Sequence, residues 1–244
     1  MSRYVLLLFT LLLAAGCTAS TRATGPRIYI VTDLEGVSGI TLWRQTGPAD
    51  SEAYQAARRL LMGDINAAVQ GCLDGGATHV AVLDGHGHPL NVIPEEMHPG
   101  AEYICGSGMP IGWGMDETYD CGMQVGCHAM NRTPDGVLYH SQSHATDARY
   151  WYNDRECGEI AQGALVMGHF GIPMLMVTGD EAACREAREF FGDHVVTVAV
   201  KKGFGRQSCR MVAPEKARQM IRAGAQEAMG RIALCRPFTM ELPI

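Results

Sequence analysis

Short runs of apolar and β-branched residues alternate along the chain with longer stretches of helical periodicity. The short runs predict strands at 27–32, 79–83, 102–105, 122–127, 174–178 and 195–200. The longer stretches predict helices at 50–74, 155–170, 181–191 and 214–229, of which the first two end at glycine. Because strands alternate with helices, the pattern predicts a three-layer α/β/α domain with a mostly parallel sheet.

Two parts of the chain are less regular. Residues 136–140 and 148–152 have the pattern of a small antiparallel pair beside the main sheet. The chain ends at Ile244 in what resembles the start of another strand, which leaves open that the last element is incomplete. No internal repeat or low-complexity tract interrupts residues 27–244, so we expect a single domain there.

The first 16 residues have the features of a secretory signal peptide. Arg3 precedes an apolar run of 11 residues, which is far shorter than the roughly 20 needed to span a bilayer. The sequence Leu-Ala-Ala-Gly-Cys at 13–17 resembles a bacterial lipobox, so we expect export, lipidation of Cys17 and a place in the periplasm or cell envelope. The alternative is ordinary secretion with Cys17 unmodified. Residues 17–26 predict a flexible tether.

Charge and cysteine content narrow the function further. The formal net charge is -6 and becomes -7 when Arg3 is removed, and the largest basic cluster is Lys201-Lys202. Binding of nucleic acid is therefore not expected, and membrane contact is expected only through a lipid anchor at Cys17. Eight of the nine cysteines lie beyond Cys17, an even number that permits disulfides in an exported protein. No Cys-x-x-Cys motif indicates a redox or thiolate zinc site.

Acidic residues and histidines follow the predicted strands at the points where the strands end. They are Asp33 and Glu35 after the first strand, Asp84, His86 and His88 after the second, His128 after the fourth, and His140 after the run from 136. Ligands of open α/β sheets bind beyond the carboxyl ends of the strands, where the loops converge on one crevice. Because unpaired buried charges are costly, their recurrence at this edge indicates a site.

Carboxylates together with imidazoles indicate zinc, manganese or iron rather than calcium or magnesium. Asp33 and Glu35 are two positions apart, so in extended chain both project to the same side, which suits a bridging carboxylate beside a terminal one. Gly36 and Gly39 would let the backbone turn sharply past the ions. Two ions about 3.5–4 Å apart can polarise a carbonyl and stabilise a tetrahedral intermediate.

The same residues resemble a known family. Residues 32–39, Thr-Asp-Leu-Glu-Gly-Val-Ser-Gly, are similar to the opening motif of the zinc-dependent D-aminopeptidases of bacterial dipeptide-transport operons, the M55-like peptidases. The resemblance continues in order through Asp-Gly-His at 84–86, Gly-Cys-His-Ala at 126–129, Gly-Val-Leu-Tyr-His-Ser at 136–141 and Tyr-Asn-Asp-Arg-Glu-Cys-Gly-Glu at 152–159. It extends from about Arg27 to at least Met229.

The resemblance implies a set of roles and a type of assembly. It implies two divalent metal ions, zinc before other metals, with Asp33 bridging them, Glu35 and His86 at one ion, and His128 and Glu159 at the other. His140 would be the catalytic residue that is not a ligand. The family also implies ring-shaped homo-oligomers, decamers in the best-known case. This sequence departs from the family in two respects. The family's members look cytoplasmic, whereas this chain has an export signal, and they have a C-terminal segment beyond the point where this chain ends.

Some alternatives stay open in the sequence. His88 competes with His86 for the same ion, and without the resemblance nothing distinguishes Glu159 from Glu156. Asp84 and Asn153 are candidates for orienting ligands through hydrogen bonds.

The function predicted from these residues is a binuclear zinc aminopeptidase that hydrolyses the N-terminal residue of short peptides, including D-amino-acid peptides. Two other functions remain: a peptide- or metal-binding lipoprotein without catalysis, and a binuclear metal phosphoesterase. The absence of a phosphate-binding glycine loop with lysine or serine disfavours the phosphoesterase.

Overall fold

The computed structural model of the protein describes residues 24–88, 90–108 and 111–242. The predicted signal peptide, the predicted lipidation at Cys17 and most of the predicted tether lie outside the described residues. Within the described ranges, no helix is both long enough and apolar enough to cross a membrane. The eight cysteines beyond Cys17 are all free thiols, so the disulfides that the sequence permits are not formed.

The main sheet has seven strands in the order β3-β2-β1-β4-β7-β8-β9. Its strands are β1 (Arg27–Thr32), β2 (His79–Leu83), β3 (Glu102–Ile104), β4 (Cys121–Cys127), β7 (Met174–Asp180), β8 (Val196–Gly205) and β9 (Ser208–Met211). Neighbouring strands are parallel except β9, which runs antiparallel to β8 at one edge. A separate hairpin is formed by β5 (Trp151–Tyr152) and β6 (Arg155–Glu156).

In the part of the chain that the structure describes, four α-helices cover the sheet on its two faces. They are α1 (Glu52–Asp74), α2 (Glu159–His169), α3 (Glu181–Phe191) and α4 (Pro214–Met229). Helices α1 and α4 pack together on one face, and α2 and α3 lie on the other. The predicted three-layer α/β/α fold with a mostly parallel sheet is therefore confirmed.

Successive residues of β1 point to opposite faces, and each face is buried under helices. Ile28 and Ile30 are in the core beneath α1 and α4, whereas Tyr29 and Val31 are in the core beneath α2 and α3. Burial on both faces explains why the central strands are continuous apolar runs rather than alternating ones. The apolar runs of the sequence predict these strands for that reason.

The structure corrects the prediction around residue 150. Residues 136–140 and 148–152 do not pair; instead β5 and β6 form a tighter hairpin whose turn is Asn153-Asp154. Both turn residues have positive φ, 47° and 62°, as two-residue hairpin turns favour. Because this hairpin takes residues 155 and 156, the helix predicted from 155 begins only at Glu159.

A second correction concerns the edge of the sheet. The strand predicted at 195–200 continues to Gly205 and returns as β9, which was not predicted. The apolar run ends at Lys201, and a lysine is normally exposed, so the pattern gave no reason to extend the strand. The described residues after α4, through Leu242, form no strand.

The topology brings the ends of β1 and β4 together. The chain passes from β1 to β2 on one side and later returns to β4 on the other, so a crevice opens between their carboxyl ends. Asp33 N donates to Val125 O at 2.8 Å, and Gly36 N donates to Gly126 O at 2.7 Å. A Cβ at Gly36 would lie 1.9 Å from Cys127 O, so only glycine permits this approach.

Candidate metal centre

The crevice beyond β1, β2 and β4 contains all five predicted ligands and the predicted catalytic histidine. They are Asp33, Glu35, His86, His128, Glu159 and His140. Asp33 lies in the middle, because its Oδ1 is 3.2 Å from His86 Nδ1 and its Oδ2 is 3.4 Å from His128 Nε2. The two oxygens of one carboxylate therefore face two different imidazoles, which is the arrangement that a bridging ligand requires.

The remaining acids complete two half-sites on either side of Asp33. Glu35 Oε2 is 3.1 Å from His86 Nδ1, and Glu159 Oε1 is 3.5 Å from His128 Nε2. Candidate ligand atoms of Asp33, Glu35 and His128 all lie within 4.8 Å of one another, and so do those of His128, His140 and Glu159. Each of these groups offers oxygen and nitrogen donors within reach of a single ion, as zinc prefers.

In three histidines of the crevice, one ring nitrogen is hydrogen-bonded to a backbone carbonyl. His86 Nε2 contacts Thr46 O at 3.1 Å, His128 Nδ1 contacts Ala129 O at 3.0 Å, and His140 Nδ1 contacts Leu138 O at 2.9 Å. A carbonyl only accepts, so the committed nitrogen carries the proton. The other nitrogen of each ring faces the carboxylates, as in histidines that bind metal ions.

Two buried polar atoms in the crevice make no well-directed hydrogen bond among the described residues, and their only contacts are the ion pairs given above. They are Glu35 Oε2 and His128 Nε2, and both side chains are almost fully buried. An unpartnered buried acceptor costs on the order of 1–3 kcal/mol, so native structures normally satisfy it. A divalent cation at each half-site would bind these atoms, Glu35 Oε2 at one and His128 Nε2 at the other, and the residues present fit such ions.

The pKa values of the crevice residues are shifted because carboxylates and imidazoles lie close together in a buried site. Burial acts to lower the pKa of His128, but the carboxylates of Glu159 and Asp33 outweigh it and raise that pKa well above its usual range. His86 follows the same pattern, since Glu35 and Asp33 overcome its burial. The opposite holds for Asp33, whose pKa is lowered because the two histidines outweigh its burial. Protons on imidazoles thus balance the acids where a metal ion would otherwise do so.

His140 lies against His128 but has a different protonation. Its ring stacks on that of His128 at 4.0 Å between centroids, and its Nε2 is 3.8 Å from Glu159 Oε1. Burial and the neighbouring His128 lower its pKa, so the imidazole is neutral at neutral pH. A ring nitrogen of His140 lies within 4.8 Å of the ligand atoms of His128 and Glu159, which places it within reach of an ion at that group.

Glu159 is delivered by the start of a helix. It is the first residue of α2, and its Oε1 accepts a hydrogen bond from Gln142 N at 2.6 Å. A carboxylate is favoured at this end of a helix because the first backbone N–H groups are unpaired. Glu156, which the sequence alone did not separate from Glu159, lies in β6 and pairs with Arg149.

The sequence from 27 to 244 matches the peptidase M55 family, whose description is D-aminopeptidase. The protein belongs to this family. It is 30% identical over 217 residues to a D-aminopeptidase of Bacillus subtilis strain 168, which covers 87% of this chain and 77% of that protein. It is also similar to a solved structure described as "Zn-dependent D-aminopeptidase DppA from Bacillus subtilis, a self-compartmentalizing protease", with a TM-score of 0.82, 30% identity, and 88% of this chain and 78% of that chain covered. The predicted family is therefore confirmed.

In this M55 peptidase the two residues predicted to orient ligands behave differently. Asp84 accepts hydrogen bonds from Asn91 N and Nδ2, both at 2.7 Å, and Asn91 Nδ2 also donates to His86 O. Asp84 therefore acts on His86 through the loop backbone. Asn153 lies in the exposed β5–β6 turn and donates to Glu241 O at 2.8 Å, and no hydrogen bond joins it to a predicted ligand among the described residues. The expectation that it orients a ligand is corrected.

His88, the alternative to His86, lies on the outer side of the crevice. Its ring is 5.8 Å from that of His86 and 5.0 Å from that of Tyr54, measured between centroids. Among the described residues, no acid forms an ion pair with His88, whereas His86 contacts two. The geometry favours His86 as the ligand.

Two buried charges that the sequence did not single out hold the loop that follows β1. Lys201 Nζ donates to Glu35 O at 2.6 Å, Val37 O at 3.0 Å and Ile40 O at 2.6 Å, and burial lowers its pKa to about 8. On the other side of the loop, Asp64 of α1 accepts from Ser38 N and Oγ, both at 2.9 Å. Burial raises the pKa of Asp64 to about 6.

The loops after β4 are held in a similar way by an acid at the end of β7 and an acid of α3. Glu186 Oε2 accepts from Met130 N at 2.8 Å, and Asp180 Oδ2 accepts from Val137 N at 2.5 Å. Burial raises the pKa of Glu186 to about 7, and its Oε1 has no partner among the described residues. Glu186 escaped sequence analysis because an acid inside a helix pattern is normally solvated.

A cavity of about 210 Å³ opens on the metal centre. Besides the predicted ligands Asp33, Glu35, His86 and Glu159, its lining includes Thr46, His88, His140, Gln142, Ser143 and His144. A smaller apolar pocket of about 30 Å³ adjoins it, lined in part by Val31, Ile111, Cys127 and Ile160. The arrangement suits metal-assisted hydrolysis of a small substrate held beside an apolar recess.

Proposed function

We propose that this M55 peptidase is a binuclear zinc aminopeptidase that removes the N-terminal residue, of D configuration, from short peptides. The observation that supports it best is the pair of half-sites sharing Asp33, with buried Glu35 Oε2 and His128 Nε2 left for a cation. The solved relative is described as Zn-dependent and as a D-aminopeptidase, which supports the metal and the stereochemistry.

Glu35, His86 and Asp33 would hold one ion, and Asp33, His128 and Glu159 the other. When bound, the ions supply Lewis-acid polarisation of the scissile carbonyl and make water a stronger acid. Thr46 O and Ala129 O keep the imidazoles of His86 and His128 in fixed tautomers, so their free nitrogens stay aimed at the ions.

His140 would move the proton. Leu138 O holds its Nδ1 proton, and its lowered pKa leaves Nε2 unprotonated at neutral pH. Nε2 can therefore take a proton from the attacking water and return it to the leaving amine. Stacking on His128 fixes the plane of the ring beside the metal centre.

The proposal is tested with the purified protein supplied with zinc and a panel of D-Ala and L-Ala dipeptides and anilides. We expect release of the N-terminal residue, with D substrates favoured over L substrates. Turnover of L substrates alone would overturn the stereochemistry and keep the peptidase. Failure to release amine from every member of the panel would overturn the activity itself.

Self-association and export complete the proposal. We propose a ring-shaped homo-oligomer, because the solved relative is described as self-compartmentalizing. Light scattering after size-exclusion chromatography should give a mass several times the 26.4 kDa of one chain. Export and lipidation at Cys17 rest on the sequence of the first 17 residues, and mass spectrometry of the mature N-terminus tests them.

A further inference from the structure

The cavity over the metal centre continues into a wider groove of about 490 Å³. The two spaces share Thr46, His88 and His144, and the groove is also lined by Trp43 and Arg44. On its other side the cavity adjoins the apolar pocket of about 30 Å³, with which it shares Asp33, Gly85 and Glu159. The metal centre therefore lies between a small apolar space and a large open one.

One wall of this passage is aromatic. The ring of Trp43 stacks on His144 at 4.8 Å between centroids and meets the edge of His140 at 5.6 Å. The planar faces run from the predicted catalytic histidine toward the groove. Flat peptide groups pack well on such surfaces, so the wall suits an extended segment of peptide leading away from the metal centre.

The groove, at the end of the passage away from the metal centre, is cationic. The lining of the groove contains Arg44 and, within the described residues, no acid. Arg44 is exposed, and no described carboxylate pairs with its guanidinium. A second cation, Arg206, lies 5.1 Å over the ring of Trp43.

A short peptide whose N-terminal residue lies at the metal centre ends in a carboxylate on the side of the cationic groove. We propose that the groove of Trp43, Arg44 and His144 is the subsite for the leaving part of the substrate, and that Arg44 binds its C-terminal carboxylate. The N-terminal residue then lies at the metal centre beside the small apolar pocket. This inference rests on the proposed aminopeptidase activity and specifies its substrates as short peptides with a free carboxylate.

A second exit from the cavity gives a competing path. A space of about 220 Å³ lined by Asp84, Gly85, Gly106 and Gly108 shares His86 and His88 with the cavity. Its described lining contains an acid and no lysine or arginine, so it disfavours a carboxylate. If the C-terminal part of the substrate lay in this space instead, kcat/KM would not depend on Arg44.

The test compares matched substrates that differ only at the C-terminus. The wild-type protein with zinc is assayed on D-Ala-Gly, D-Ala-Gly-Gly and D-Ala-Gly-Gly-Gly, each as the free acid and as the amide. We expect the acid to have the higher kcat/KM, by about tenfold at the length that spans the groove, as one charge-assisted contact gives. The difference should lie mainly in KM.

Substitutions at Arg44 assign the effect. Arg44→Ala should bring the acid down to the level of the amide, and Arg44→Glu should make the amide the better substrate. The control is Arg59→Ala on α1, an exposed arginine outside the groove that should leave the acid-to-amide ratio unchanged. Equal values for acid and amide in the wild type, or a ratio that Arg44→Ala does not change, would overturn the subsite.

The anilide assay distinguishes a failure of the Arg44 subsite from a failure of the proposed aminopeptidase activity. Turnover of D-Ala anilide without any preference for acids removes the Arg44 subsite and leaves the aminopeptidase in place. No turnover of anilide or peptide removes both.

Discussion

His140 differs from the two histidines beside it, because its pKa is lowered where theirs are raised. We expect His140→Ala to lower kcat by about 10²–10⁴-fold, the usual contribution of a general acid–base group, while the zinc content stays unchanged. Turnover of D-Ala anilide and metal analysis of the same sample give both values. His169→Ala, at the exposed end of α2, serves as the control.

A loss of zinc in His140→Ala would instead make this histidine a ligand, which its distance to Glu159 permits. Unchanged turnover with unchanged zinc content would show that His140 neither binds the metal nor transfers the proton. The outcomes separate the three roles because metal content and rate are measured independently.

Glu186 makes stability depend on pH. Burial raises its pKa from 4.5 to about 7 in the folded state, so the folded protein holds this proton more tightly than the unfolded chain. Stability is therefore lost as pH rises from about 4.5 through 7, by about 3 kcal/mol at most, and the loss is complete above that range.

We expect Glu186→Gln, which cannot ionise, to lack this contribution. The difference in free energy of unfolding between wild type and variant should move in favour of the variant as pH rises from 4.5 to 8. Urea denaturation at several pH values measures it. A difference that is constant with pH would show that Glu186 is not protonated in the folded protein.

Most of the individual ligands could be predicted from the sequence, but the residues that fix the ligand-bearing loops by hydrogen bonds could not. Asp33, His86 and His128 follow apolar strands directly, so their positions could be predicted from the pattern. Glu159 required the family resemblance, because it precedes a helix whose start the sequence placed too early. Lys201 gave no signal, since its burial depends on three carbonyls that lie more than 160 positions away.

At the scale of elements, the loop after β1 is held from two sides by charges on β8 and α1. Replacing Lys201 by Met would leave the carbonyls of Glu35, Val37 and Ile40 without their donor. We expect Lys201→Met to destabilise the protein by about 1–3 kcal/mol and to weaken zinc binding, because Glu35 loses its fixed position. Competition with a chromophoric chelator measures the affinity.

A second variant separates a general loss of folding stability from the loss of the fixed position of Glu35. Ile221→Ala, in the core beneath α4, should cost a comparable 2–5 kcal/mol without touching the loop. Its zinc affinity should equal that of the wild type. Lys201→Gln keeps an amide N–H donor group and should recover part of the affinity. Equal zinc affinity in Lys201→Met and Ile221→Ala would leave Lys201 a purely structural role.

The elements themselves were predicted well where burial on both faces made the strand apolar. β1, β2 and β4 and the helices α1, α3 and α4 agree with the pattern to within a few residues. The failures lie at β5, β6 and β9, which are short or exposed. Such strands depend on turn geometry and on their partner strand, and neither leaves a hydrophobic period in the sequence.

For the molecule as a whole, removal of metal should affect both folding and charge. Carboxylates converge in a buried crevice, so we expect the chelated protein to unfold at a lower temperature than the zinc-loaded protein. Because the pKa values of His86 and His128 are raised without metal, zinc must displace their protons. Zinc affinity should therefore rise with pH.

Calorimetry in buffers of different ionisation enthalpy counts the protons released when zinc binds. At least one proton per chain is expected at pH 7. His86→Ala should reduce the number released. Zinc binding without any proton release would show that the imidazoles are already neutral before metal enters.

Because Lys201 is buried, its chemical reactivity reports on the motion of the loop that follows β1. Acylating reagents attack free amines, and most lysines of a protein react because they are exposed. Lys201 is 2% exposed and is enclosed by carbonyl oxygens, so its amine should react only when the segment carrying Asp33 and Glu35 swings away. The rate at which mass spectrometry finds this lysine labelled would then record how often the pocket opens, and Lys202 beside it, half-exposed, would serve as the internal standard.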